Sequence, residues 1–285
     1  MKHRTLPANR AQSWLTAMFI LLSLVLSLVL ALVPFEVQAR DGVDVGGNSA
    51  FAKLVPAEEV ERSAAQQYAQ MLQQADSKNA LGSKDNPQVK RVRAIAQRII
   101  PFAMEWNPRA RGWKWEVNLI GSSQINAFCM PGGKIAFYTG ILDKLKLTDD
   151  EVAMVMGHEI AHALREHARE RMGKNAATGI GANLLSQLLG LGEVGQTVTQ
   201  YGAQLLTLQF SREDESEADL VGMELGARAG YNPRAGITLW QKMASASQGA
   251  PPQWLSTHPS GSSRIADMEA NLAKVIPLYE WARKP

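Results

Sequence analysis

Residues 152–172 read VAMVMGHEIAHALREHARERM, and no other stretch restricts the chain as strongly, because His158 and His162 stand four apart with Glu159 beside the first. On an α-helix, side chains four apart share a face, so two imidazole nitrogens can reach one metal ion with a carboxylate next to them. That is the geometry a zinc peptidase needs. The helix start is legible just upstream. Thr148 is followed three residues later by Glu151, a capping box, and Asp149 and Asp150 place negative charge at the positive end of the helix dipole. Ala153, Ile160, Ala161 and Ala163 surround the pair with apolar side chains, which argues against two solvated histidines on a polar face.

With 285 residues and 46% hydrophobic content, the chain can bury a substantial core. The formal net charge is +3, but Lys2, Arg4 and Arg10 against Glu36 account for +2 of it. No basic patch with interleaved aromatics follows, so nucleic acid is not an expected partner. Residues 1–39 have the layout of a signal peptide: a basic segment to Arg10, an apolar run from Leu15 to Val33, then Val37-Gln38-Ala39 as a cleavage site. The run approaches the roughly 20 residues that cross a bilayer, so an uncleaved N-terminal membrane anchor stays open beside a leader removed after Ala39. Either reading carries the remainder across a membrane and predicts a periplasmic or cell-envelope protein. The single cysteine, Cys129, excludes an internal disulfide and, between Phe128 and Met130, reads as a small buried hydrophobe.

Residues 40–55, with three glycines and two aspartates, read as a flexible tether, and 56–285 as one metallopeptidase domain. Helices are predicted from Pro56 to Asp76 and from Pro87 to Pro101. Trp113, Trp115, Val117 and Leu119 alternate with polar residues, and Lys134 to Thr139 is strand-like after the Pro131-Gly132-Gly133 turn. The two strands are predicted to form one small antiparallel sheet, in which Lys134 to Thr139 is either the edge on which a polypeptide substrate docks or an ordinary core strand. Residues 176–192 are apolar but broken by glycines, which predicts a helical hairpin lying on the surface or covering the site. Two further helices are expected near 233–246 and 260–275.

A catalytic zinc site usually has three protein ligands, so two histidines are not enough. A third histidine six residues after the second would mark one class of zinc peptidase, but that position is Ala168; His167 misses it by one, which suits a helix-surface role or one behind the ligands. In the acidic run from Ser211 to Gly222, helix geometry groups Glu215, Ala218, Asp219 and Gly222 on one face, with small residues that permit close helix approach. Glu215 is therefore the expected third ligand, and Asp219, one turn on, the carboxylate that holds a ligand histidine by its other ring nitrogen.

These pieces together resemble the gluzincin metallopeptidases related to the CAAX prenyl endopeptidase, HtpX, BepA and LoiP. The resemblance rests on Asn126-Ala127-Phe128 through Gly140, HEIAHALREH, SREDESEADLVG, Ala229-Gly230-Tyr231-Asn232-Pro233, and Ser256-Thr257-His258-Pro259 followed by Arg264-Ile265. It implies an α+β, mostly helical zincin-like domain with its small sheet beside the metal helix. It also implies one Zn2+ per chain held by His158, His162 and Glu215, with Glu159 as general base. His258 would act near the metal, either stabilising an oxyanion or closing the open zinc position at rest, and Arg264 would orient that loop or contact Asp219. The implied activity is an endopeptidase acting on misfolded or misassembled proteins of the bacterial envelope. The alternative is an envelope chaperone or assembly factor whose zinc site is latent or structural.

Overall fold

A computed structural model describes residues 41–177, 205, 209–246, 252–259 and 262–284. The predicted leader or anchor and nearly all of the predicted hairpin at 176–192 lie outside them. No helix among the described residues is long and apolar enough to cross a membrane.

Helix α1 (Ala57–Ser77) follows Pro56 with Glu58 and Glu59 in its first turn, and α2 (Pro87–Ile99) is capped by the Asn86 side chain, which accepts from the Gln88 amide at 2.8 Å. The apolar row of α2, Val89, Val92, Ile95, Ala96 and Ile99, is buried as its spacing requires. Three strands follow: β1 (Glu116–Ile120), β2 (Ala127–Met130) and β3 (Lys134–Tyr138).

The sheet order is β1-β3-β2, with β2 antiparallel and β1 parallel to β3. The expected wholly antiparallel sheet is thus a mixed one. The reason is β2, which reverses the chain after β1; β3 then reverses again through Pro131-Gly132-Gly133 and inserts between the two. Gly132 and Gly133 take φ of 83° and 77°, a conformation that side chains with a Cβ rarely adopt. Of the two readings of Lys134 to Thr139, the docking edge is ruled out and the core strand holds, because β3 is paired on both sides.

Helices α3 (Thr139–Leu145) and α4 (Asp149–Leu164) come next, and every residue of α4 from Glu151 to Leu164 is buried. Its capping box forms as expected, with the Thr148 amide donating to Glu151 Oε2 at 2.8 Å and the Glu151 amide to Thr148 Oγ1 at 3.3 Å. The helix does not continue through Met172. It stops at Leu164, Glu166 takes a left-handed φ of 61°, and a separate helix α5 (His167–Ala177) begins.

Helix α6 (Arg212–Arg228) has its own capping box, Ser211 with Asp214, and packs along α4. Its Gly222 meets Gly157 of α4 backbone to backbone: a Cβ on Gly157 would lie 2.5 Å from the Gly222 carbonyl oxygen. Helices α7 (Ala235–Ala246), α8 (Gln253–Thr257) and α9 (Ser262–Ala282) complete the shell.

Residues 42–55, expected to be a flexible tether, are packed. Val43, Ala52 and Val55 are buried, the Val43 amide donates to Glu224 Oε2 of α6 at 2.8 Å, and Arg165 donates to the Gly46 carbonyl at 2.9 Å. Arg169 of α5 holds the Val55 carbonyl at 2.7 and 2.9 Å. Of the glycines that suggest flexibility, Gly42 permits close approach, sitting directly against the Glu224 carboxylate, whereas Gly46 and Gly47 face open space.

Candidate metal centre

Helix α4 projects His158 and His162 from one face, one turn apart, and their Nε2 atoms lie 3.1 Å from each other. The Gly157–Gly222 contact brings α6 close enough for Glu215 to complete the group: its Oε1 is 3.4 Å from His162 Nε2 and its Oε2 3.6 Å from His158 Nε2. His258, just after α8, adds a fourth donor, its Nδ1 3.0 Å from Glu215 Oε1 and 3.2 Å from His158 Nε2. One donor atom from each of these residues lies within 4.8 Å of the others, and all four residues are buried.

The donor set fits a metal. Imidazole nitrogen and carboxylate oxygen are both ordinary zinc donors, and two histidines with a glutamate form one of the usual catalytic sets. Three ring nitrogens this close cannot all be satisfied by hydrogen bonds to one another, because each needs a partner of the opposite donor character. Glu215 Oε2 faces the same space; Arg264 Nη1 is 2.6 Å away in an ion pair, but no aligned hydrogen bond reaches that oxygen.

The charges behind the donors are arranged to hold them. His158 Nδ1 meets Asp219 Oδ1 at 3.0 Å, and Arg264 grips Asp219 with two bonds of 2.6 and 2.7 Å. The Arg264 guanidinium lies 3.7 Å over the Trp240 ring. Burial alone would raise the Asp219 carboxyl; the Arg264 charge and the His158 bond more than offset it and hold it below its ordinary value. Glu215, raised by burial but surrounded by His258 and His162, is driven far below the carboxylate range. Burial pushes His162 well below the usual imidazole value, whereas His258 is raised: burial opposes protonation there, but Glu159 and Glu215 favour it more. These directions belong to the protein without metal.

Glu159 lies beside the group, with Oε1 accepting from the Trp254 indole at 2.6 Å and standing 3.6 Å from His258 Nε2. A narrow cleft of about 50 Å3 leads to it, walled on one side by Asn126 to Pro131 and on the other by Glu159, His162 and His258. Among the described residues, β2 pairs on one side only, with β3, so β2 rather than β3 borders the cleft.

All seven residues singled out from the sequence, His158, Glu159, His162, Glu215, Asp219, His258 and Arg264, are gathered here. Sequence reasoning missed Trp254, which lies 95 residues from Glu159 along the chain and belongs to no motif. It also missed Phe210, whose ring stacks on His162 with centroids 4.0 Å apart. His167 is not on the surface: it is buried, and its Nδ1 meets His162 Nδ1 at 2.9 Å.

Residues 86–272 match Peptidase family M48. The chain is 41% identical over 153 residues to mitochondrial metalloendopeptidase OMA1 of Arabidopsis thaliana, an alignment covering 54% of this chain and 30% of that protein. It is 30% identical over 223 residues to the mitochondrial metalloendopeptidase OMA1 of Bos taurus (73% and 42%). It is 31% identical over 171 residues to the beta-barrel assembly-enhancing protease of Yersinia pestis (56% and 35%). The chain thus spans less than half the length of each. The mitochondrial relatives, from plant, yeast and vertebrate sources, overturn the expectation of a periplasmic or cell-envelope protein, which rested on the leader and on the resemblance to envelope proteases. With the family match covering the HExxH helix, the Glu215 helix and the His258 segment, the chain belongs to Peptidase family M48.

Proposed function

We propose that the chain is a zinc endopeptidase cutting misfolded or misassembled polypeptides, with one Zn2+ held by His158, His162 and Glu215. The observation that carries this is the convergence of those three donors with Glu159 at the end of a cleft bordered by an open strand edge. Zinc bound there supplies a Lewis acid that polarises a carbonyl and acidifies water. Trp254 occupies Glu159 Oε1, so Oε2 is left to take a proton from the attacking water and return it to the leaving amine. Asp219, fixed by Arg264, keeps the His158 proton on Nδ1 and its Nε2 lone pair toward the donor group. A substrate backbone would extend the sheet along β2, its side chains contacting Phe128 and Met130. Replacing Glu159 by Gln should leave zinc bound and abolish casein cleavage; a variant that still cuts casein at the wild-type rate refutes the role.

A second reading is favoured by one observation. His258 Nδ1 already stands inside the donor group, where it would close the fourth position and make the site latent, as in a chaperone or assembly factor. His258→Ala separates the two. Higher casein cleavage than wild type identifies a peptidase held at rest by His258, and lower cleavage identifies an oxyanion donor. Inactivity of both forms, with aggregation still suppressed, favours the chaperone.

A further inference from the structure

We infer that His167 is a positioning residue for the metal-facing imidazole of His162, itself held by Glu217 and Arg165. The inference rests on the zinc reading above and concerns side chains outside the donor group.

The interruption of the helix at Glu166 makes the contact. Because Glu166 turns back in the left-handed region, His167 is carried against the ring of His162 instead of continuing around α4. The two Nδ1 atoms lie 2.9 Å apart and both residues are buried, so one nitrogen must donate and the other accept. His162 points Nε2 toward Glu215 and His158, and a ring that binds metal through Nε2 keeps its proton on Nδ1. His162 then donates, His167 Nδ1 accepts, and the His167 proton resides on Nε2. That nitrogen forms no hydrogen bond but faces Glu217 Oε2 at 3.7 Å. Glu217 is in turn paired with Arg165 Nε, and Arg165 Nη2 donates to the Gly46 carbonyl at 2.9 Å.

Both histidines of α4 are therefore backed by a carboxylate and an arginine. His158 reaches them directly through Asp219 and Arg264, whereas His162 reaches Glu217 and Arg165 through an inserted imidazole. The stacked Phe210 ring fixes the plane of His162, and His167 fixes its rotation and tautomer.

The test is zinc affinity of the full chain, measured by competition with a chromophoric chelator, together with the visible spectrum of the cobalt(II)-substituted protein. His167→Asn keeps an oxygen acceptor near the Nδ1 position and should bind zinc within about 3-fold of wild type, whereas His167→Leu should lose about 10–100-fold. The cobalt spectrum should change in the Leu variant only. Glu217→Gln, altering a partly exposed side chain, should weaken zinc several-fold and, because Arg165 loses its partner, is compared at a temperature where the metal-free variant is still folded by its cooperative melt; it decides the matter if His167→Leu fails to fold. Zinc affinity unchanged in His167→Leu, equal loss in Asn and Leu, or no loss in a folded Glu217→Gln overturns the inference. A wild type that binds no zinc sinks the zinc reading instead, so the two failures are distinguishable.

Discussion

The contact between Gly157 and Gly222 sets the width of the metal site, and Gly222→Ala probes it directly. A Cβ on Gly222 would stand 2.6 Å from the His158 amide nitrogen and 2.8 Å from the Gly157 carbonyl carbon. Ordinary contact begins at 3.4 Å, so α4 and α6 must separate by 3.4 − 2.6, or about 0.8 Å, because the obstructing atoms are backbone and cannot rotate away. His158 and Glu215 lie on opposite sides of this contact, and their donor atoms are now 3.6 Å apart. A metal tolerates only about 0.2 Å in its ligand distances, so the shift exceeds that tolerance about fourfold. Overpacking of this kind costs about 1–3 kcal/mol, and an unyielding backbone places the expected loss at the upper end. Urea unfolding in excess chelator should read that loss, and chelator competition on the native protein should show zinc held at least about 10-fold less tightly. Gly112→Ala, with nothing within 4 Å of its Cβ, serves as the control. If Gly222→Ala unfolds at the wild-type urea concentration and retains wild-type zinc affinity, the close approach of the helices is not what spaces the donors.

Trp254→Phe removes the indole donor on Glu159 Oε1 while keeping an aromatic ring in the core; kcat should fall by about 10-fold with zinc content and KM unchanged, and an equal kcat would show that the bond does not orient Glu159. Glu151 gives a pH test in the metal-free protein. Burial would raise its carboxyl, but Lys242, the Thr148 amide and Thr238 lower it below the ordinary 4.5. A depressed carboxyl stabilises the fold above its unfolded value, and that contribution is lost as pH falls through the folded one. Lys242→Met should therefore lower the thermal midpoint at pH 7 and approach wild type as pH falls below 4.5 and through the folded carboxyl's depressed value, and a constant offset across that range would contradict the pairing.

The parts of the site that were legible in the sequence are local. The His158–His162 pair needs only helical spacing, the Thr148–Glu151 box needs only its three-residue interval, and Glu215 with Asp219 could be ranked by which face carries the small residues. His258 and Arg264 carried no local signal and were reached only through resemblance to a family. The rest depends on tertiary contacts. The break at Glu166 goes unannounced by any proline or glycine, and it decides that His167 faces inward. The parallel pairing of β1 with β3 depends on β2 reversing the chain between them. Trp254 reaches Glu159 because α8 folds over α4. Gly42, Gly46 and Gly47 suggested a loose segment because glycine marks both freedom and tight clearance, and at Gly42 only the neighbouring Glu224 distinguishes the two.

The packing of residues 42–55 bears on how a smaller working version of this protein could be cut. Their backbone lies across both donor-bearing helices, fastened to α6 at Glu224, beyond the end of α4 at Arg165, and to α5 at Arg169. A fragment trimmed to the family match would start at residue 86 and discard all three fastenings, leaving Val60, Ala64 and Tyr68 of α1 missing from the interior as well. Such a minimal fragment should be purified with little metal and digest rapidly under limited trypsin treatment, while one starting at Gly42 should resist both losses.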